Sequence, residues 1–393
     1  MSFSLRALCL AVGSALLVGC GGSGGGSDIP KPASSSPAAS SNPVISSSSS
    51  SAPASSQAAS SSSLATLPSH FILGADLSWV SEMEANGINL YNRAGEQRDP
   101  FVLVKELGAS AIRLRVWVSP EGGWYNSLQD VVAKAKRAKA NGQQVMIDFH
   151  YSDTWADPGK QFIPKDWVGS DLDAMKTALA SHTRAVLLAL KDEAITPTWV
   201  QVGNETNDGF LWDLARPSKE PRATTIKNYA ELTNTGYDTV KEVFPDAKVI
   251  VHLANCHLNG NFRWIFDGLK NNGGKFDIIG ASSYPVADTT ISWQTITSDC
   301  LSNLNDMVDR YQVPVMLTEV GLPWDHTEAK AIISDLITKV AQVKNQQGLG
   351  VFYWEPLAHN GWKGYTLGAF DDSGKPAAAM EAFTEAAAKI SAP

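Results

Sequence analysis

The chain of 393 residues has no run of basic side chains, and its 40 acidic residues outnumber the 32 basic ones for a formal net charge of −8. A surface of that sign attracts neither a phosphate backbone nor another polyanion, which excludes nucleic acid as the main partner. A Gly-rich phosphate turn is missing as well. The first strand-like run contains Gly74-Ala75-Asp76-Leu77-Ser78, which lacks the glycine spacing that cradles a nucleotide. Histidine is sparse at 7 residues, and His252 and His257, which flank one strand end, have no clustered carboxylates beside them to complete a metal site. The sequence therefore calls for no metal and no required cofactor. Only 4 cysteines occur. Cys9 and Cys20 belong to the N-terminal segment, and Cys256 and Cys300 are left, free to pair in an oxidising compartment without the sequence deciding that they do.

What the N-terminus does have is an export pattern. Arg6 is followed by the apolar stretch Ala7 to Val18, too short to span a bilayer and of the right length for a signal peptide. Leu17-Val18-Gly19-Cys20 resembles a bacterial lipobox, with cleavage before Cys20 and acylation of its thiol, so residues 1–19 read as a lipoprotein-type signal peptide. Residues 20–66 are almost wholly Gly, Ser, Ala and Pro, with serine runs at Ser46 to Ser51 and Ser60 to Ser63. Such a segment holds too little apolar surface to offset its ordering entropy, and a disordered linker is expected. The expected location is the outer membrane or cell surface, or the secreted fraction, with membrane contact only through the lipid.

Residues 67–393 have the size of one α/β barrel. Their strand-like runs are Phe71 to Trp79, Ala111 to Val118, Gln144 to His150, Thr198 to Glu205, Lys248 to Ala254, Phe276 to Tyr284, Pro314 to Val320 and Gly350 to Glu355. Between them lie amphipathic stretches such as Leu128 to Ala140, Asp171 to Lys191, Thr225 to Val243, and Glu328 to Gln346 before a Gly348 stop. Eight alternations of this kind predict parallel βαβ units closing into an α/β (β/α)8 TIM barrel.

In such a barrel the carboxyl ends of the strands carry the chemistry. The fourth run ends in Asn204-Glu205 and the seventh in Glu319, on opposite sides of the mouth. Two carboxylates facing across a bond cleave glycosides when one is kept protonated and the other ionised. Alternation in the second run puts Arg113, Arg115 and Trp117 on one face, and in the third it aligns Asp148 with His150. Buried guanidinium groups need acidic partners, so several ionisable groups converge inside the predicted barrel. The chain also carries 12 tryptophans, and Trp155, Trp324, Trp354 and Trp362 follow predicted strands where flat rings can stack on sugars. Alternation sets Glu355 opposite Trp354, which assigns it a structural role.

These residues resemble the clan A, or 4/7, superfamily of retaining glycoside hydrolases. That resemblance implies Glu205 as acid/base, Asn204 as a contact to the sugar 2-hydroxyl, and Glu319 as nucleophile. It also implies an Arg on the second strand, here Arg113 or Arg115, with Tyr284 on the sixth strand and Trp354 on the eighth. The stretch Asp148-Phe149-His150-Tyr151-Ser152-Asp153-Thr154-Trp155-Ala156-Asp157-Pro158, with Gly74 to Ser78, Arg113 to Val118 and Trp199 to Glu205, is similar to endo-β-1,4-galactanases of glycoside hydrolase family 53. The similarity covers the barrel and implies double-displacement cleavage of β-1,4-galactan in pectic arabinogalactan; a monomer is expected. Some members hold calcium in the loops after strands seven and eight. Leu357 to Lys375 offers few ligand carboxylates beyond Asp371 and Asp372, so no calcium is assigned.

Three readings compete. Another clan A glycanase, a mannanase or cellulase, would share the acids but not the sugar. A sugar-binding barrel without catalysis would keep the tryptophans, and a metal hydrolase would use Asp148, His150 and His252.

Overall fold

The computed structural model describes residues 66–390, so the expected signal peptide, Cys20 and the linker up to Ala65 lie outside the described residues. Eight strands follow one another as β1 (Ile72–Asp76), β2 (Ala111–Val116), β3 (Gln144–Phe149), β4 (Trp199–Val202), β5 (Lys248–Leu253), β6 (Ile278–Ser283), β7 (Val315–Val320) and β8 (Gly348–Tyr353). Each is parallel to the next, and β8 pairs with β1 to close the barrel. The helices in chain order are α1 (Val80–Ala85), α2 (Pro100–Glu106), α3 (Leu128–Ala140), α4 (Leu172–Asp192), α5 (Arg222–Val243), α6 (Asn259–Asn271), α7 (Trp293–Tyr311), α8 (Ala329–Ala341) and α9 (Ala378–Ala387). Several start where a side chain satisfies a free backbone N–H. Ser127 accepts from the Asp130 N–H before α3, Asp171 from that of Ala174 before α4, and Ser292 from that of Thr295 before α7. Among the described residues no helix is long and apolar enough to cross a membrane.

The predicted strands are all present, but all except the seventh were drawn too long at their carboxyl ends, most of all the first and fourth. The ladders stop at Asp76, Val202 and Tyr353. Beyond β4 and β8 the backbone turns left-handed, with φ of 83° at Gly203, 46° at Glu205 and 45° at Glu355. A chain in that region leaves a sheet. The predicted helix Glu328 to Gln346 also ends early, at Ala341, and Gly348 opens β8 instead of stopping a helix. A side chain at Gly348 would overlap the Val340 carbonyl of α8, so glycine is required for the strand to pass close to the helix end.

Period-two alternation divides each strand into two destinations. Leu73, Ile112, Leu114, Ile147, Val200, Val251 and Leu317 pack outward against the helices in one large apolar cluster. Ile72, Ala111, Met146, Trp199, Ile250, Ile278, Met316 and Phe352, one from each strand, form a separate cluster that fills the barrel floor. Above that floor the inward residues turn polar: Asp76, Arg113, Asp148, Gln201, His252 and Ser282 are all buried. The apolar plug thus seals the amino-terminal end, and the buried polar side chains are confined to the other.

Strand β7 departs from this rule. Leu317 pairs with Val351 and Val320 with Tyr353, so β7 has one residue more than β8 over this stretch, a β-bulge. Its register against β6 shifts at the same place, setting Ser282 opposite Glu319. Leu317 and Val320 both join the outer cluster although they are an odd number of residues apart. Strict alternation from Met316 would turn Glu319 out toward the helices, and the bulge brings it to the interior.

Cys256, after β5, and Cys300, in α7, form a disulfide. The floor explains one residue of the first strand. A Cβ on Gly74 would overlap the Phe352 ring, so Gly74→Ala should destabilise the fold by about 1–3 kcal/mol through overpacking. A lowered urea midpoint at unchanged slope would register it, and an unchanged midpoint would contradict this packing.

Candidate active site

Asn204 and Glu205 reach the mouth because of Gly203. Its left-handed conformation is strained for any side chain, and a Cβ there would lie 2.6 Å from Thr206 Cγ2. The turn at Gly203 breaks the alternation that would send Asn204 outward. Asn204 Oδ1 accepts from Arg113 Nη2 at 2.9 Å and Gln201 Nε2 at 3.0 Å, while its Nδ2 donates to the Ala156 carbonyl at 2.8 Å. Gln161 Nε2 donates to the carbonyls of Asn204 and Glu205, tying the loop after β3 to the end of β4.

Glu319 is 5% exposed, its Oε1 lies 2.8 Å from Arg113 Nη2 and its Oε2 accepts from the Tyr284 hydroxyl at 3.0 Å. Arg113, wholly buried, also pairs with Asp76 at 2.8 Å and Asp148 at 2.9 Å. The candidate arginine is thereby resolved: Arg113 meets Glu319, and Arg115 does not. Arg115 instead pairs with Glu355 at 3.5 Å and sits among Trp79, Trp117 and Trp155, with its Cζ 4.2 Å from the Trp155 ring centroid. Glu355 also accepts from the Trp79 N–H.

The two glutamates meet at Ser282. Its Oγ donates to Glu205 Oε1 at 2.6 Å and is 3.5 Å from Glu319 Oε2. Those two oxygens are thus no farther apart than the two distances combined, bridged by one hydroxyl. Burial and the neighbouring Glu319 charge push Glu205 up to about 8. Burial also raises Glu319, to about 7, but the Arg113 guanidinium and the Tyr284 hydroxyl oppose that rise. Glu205 has no cation bonded to it and keeps its proton longer.

Asp148 is held below its usual range, chiefly by Arg113, even though burial works in the opposite direction. His150 Nδ1 accepts from the Ala156 N–H at 3.1 Å and from Trp117 Nε1 at 3.2 Å, so its proton is on Nε2 and is donated to Asp148 Oδ2. Burial lowers the pKa of His150 and of His252. These hydrogen bonds occupy the atoms that a metal built on Asp148, His150 and His252 would need. Asp371 likewise accepts through Oδ1 from Ser373 and Lys375. Among the described residues, no group of three or more His, Cys, Asp or Glu side chains could hold a metal ion.

His150, Trp155, Asn204, Glu205, Tyr284, Glu319 and Trp354 all line one cavity, together with Ala156 and Asp157. Trp324 does not: it borders a separate depression with Asp325, His359 and Asp372. Trp362 lines neither and belongs to a short 3-10 turn, Trp362–Gly364. Four participants escaped the sequence reading. Trp79 packs its ring 5.6 Å from that of Trp155 and 5.3 Å from that of Trp354. Gln201 and Ser282 were detectable as inward polar residues, by alternation from Trp199 and Tyr284, and Asp76 as an acid near a strand end.

Comparison with known proteins agrees with this geometry. The family model for Glycosyl hydrolase family 53 matches residues 72–383. The chain is 36% identical over 313 residues to an uncharacterised protein of Niallia circulans, covering 73% of this chain and 83% of that one. It is 34% identical to the arabinogalactan endo-β-1,4-galactanase of Cellvibrio japonicus, covering 73% of this chain and 80% of that one. A solved structure from a study of two fungal β-1,4-galactanases superposes with a TM-score of 0.72 at 29% identity, over 79% of this chain and 98% of the other.

Because Arg113 is the cation shared by three buried carboxylates, Arg113→Leu should cost about 3–5 kcal/mol. Chemical denaturation measures this, and a loss below about 1 kcal/mol would mean the pairs behave as exposed ones do.

Proposed function

The chain belongs to Glycosyl hydrolase family 53, and from that membership we propose that it cleaves β-1,4-galactosidic bonds within the galactan side chains of pectic arabinogalactan, as an endo-acting, retaining hydrolase. The named activities of the Cellvibrio japonicus relative and of the fungal structures support this substrate. One observation carries the chemistry: a half-buried carboxylate, Glu205, and a buried one, Glu319, meet at one hydroxyl, and only Glu319 has a guanidinium bonded to it.

In the first displacement Glu319 attacks the anomeric carbon while Glu205 gives its proton to the departing glycosidic oxygen. The products are a glycosyl ester on Glu319 and an ionised Glu205. Water then attacks the same carbon, losing its proton to Glu205 and restoring both acids. Arg113 and Tyr284 favour the ionised form of Glu319 that attacks, and Asn204, locked by three hydrogen bonds, presents its amide at the edge of the cavity. Activity rises with pH as Glu319 loses its proton and falls as Glu205 loses its own. Trp155 and Trp354 offer the rings on which sugars stack. No step needs a cofactor, and a monomer carries every group involved.

Outside the described residues, we read Met1 to Gly19 as an export signal and Cys20 as the acylated residue. An acylated Cys20 would tether the chain to a membrane through its lipid.

Glu319→Ala should cut turnover of β-1,4-galactan by several orders of magnitude with the fold intact, and undiminished activity would remove the nucleophile. Glu205→Ala should spare an activated substrate far more than the polymer, since a good leaving group needs little protonation. Side-by-side assays on galactan, mannan and cellulose test the sugar, and a preference for either of the latter overturns it. Radiolabelled palmitate should be incorporated on expression in a bacterial host and lost in Cys20→Ala; equal labelling would refute the anchor.

A further inference from the structure

Ser282 is wholly buried on β6, two residues before Tyr284. Besides the two glutamates, its Oγ has a third partner, His252 Nε2, at 2.8 Å. The hydrogens available set the direction of each bond. His252 Nδ1 faces two donors, Gln201 Nε2 at 3.0 Å and the Glu205 backbone N–H at 3.4 Å, so Nδ1 is the bare nitrogen. Asn204 Oδ1, 3.0 Å from Nδ1, shares the Gln201 amide as its donor. Burial, with Arg113 acting the same way, keeps the His252 ring neutral. Its single proton is therefore on Nε2 and is donated to Ser282 Oγ, which leaves the hydroxyl proton for Glu205.

We infer that Ser282 is a positioning residue for the acid/base: its hydroxyl, aimed by His252, stabilises Glu205 in the ionised state that it reaches on protonating the leaving oxygen. The inference rests on the roles assigned above to Glu205 and Glu319. In the first step the glycosidic C–O bond breaks with its electron pair on oxygen, the Glu205 proton moves to that oxygen, and a Glu319 oxygen bonds to the anomeric carbon. Ser282 keeps its proton throughout. What changes is its acceptor, from a neutral carboxyl to a carboxylate, and a hydrogen bond to an ionised acceptor is roughly twice as strong. The interaction therefore favours the transition state over the ground state. The second step runs the other way, because Glu205 must then take a proton from water, and the same bond makes it a weaker base. The 3.5 Å separation leaves Glu319 to Arg113 and Tyr284.

The charged and titratable groups facing Glu205 are Arg113 from β2, Asp157 from the loop after β3, His252 from β5, Tyr284 just after β6 and Glu319 from β7. Replacing Ser282 removes none of them. In Ser282→Ala, kcat/KM on β-1,4-galactan should fall about tenfold or more, while an aryl β-galactobioside with a good leaving group stays within about threefold of wild type. The alkaline limb of the kcat/KM profile, set by loss of the Glu205 proton, should move up by about half a pH unit or more, and the acid limb should stay in place. Ser282→Gly removes the same hydroxyl and should give the same shift, which separates the effect from any packing fault of alanine. An alkaline limb unmoved in both variants, or equal losses on both substrates, overturns the inference. Failure of the underlying assignment looks different: wild type that leaves galactan intact, or an active Glu319→Ala.

Discussion

One guanidinium, removed from water, holds the active end of the barrel together. Arg113 bonds to carboxylates from β1, β3 and β7, each at 2.8 to 2.9 Å. Burying that cation alone would be prohibitive, and so would burying the acids alone. Three carboxylates to one cation still leave an excess of negative charge, and neutral donors absorb it. Ser78 donates to Asp76, Gln201 and His150 to Asp148, and Tyr284 to Glu319. Glu319 is the member at the edge, with one oxygen on the guanidinium, the other on a phenol, and a cavity in front of it. Its environment is thus a property of the closed barrel.

Backbone irregularity aims the acids. A regular strand presents alternate residues to the interior, and neither Asn204 nor Glu319 falls on the right phase. Gly203 corrects the first by entering a region that side chains avoid, and the β7 bulge corrects the second by adding one residue against β8. Both departures occur within a residue or two of the chemistry, where the apolar floor no longer dictates the register. The floor below stays regular, with one inward side chain from each of the eight strands.

The wall beside the acids is aromatic and rigid for a related reason. Trp79, Trp155 and Trp354 pack edge to face or tilted within 6 Å of one another, and Arg115 fills the space behind them. Two of its guanidinium nitrogens have no hydrogen-bond partner, and the ring faces of three tryptophans supply the attraction instead. The arrangement fixes the orientation of the Trp155 ring among its neighbours.

Much of this was written in local pattern. Eight apolar runs separated by amphipathic stretches determined a barrel, and the polar residues that end the fourth and seventh runs, Asn204-Glu205 and Glu319, marked the pair of acids. Such signals survive in one dimension because they depend on residues only a few positions apart. The choice between Arg113 and Arg115 did not, since both lie on the same face of one strand and only the ring of neighbours tells them apart. Nor did the Cys256–Cys300 pairing, the separation of Trp324 and Trp362 from the acid-bearing cavity, or the entry of Ser282, Gln201 and Trp79 into the site. Those were decided when β8 paired with β1, because closure is what brings side chains far apart in sequence into contact and selects the β7 bulge and the left-handed turn at Gly203 that let their charges meet.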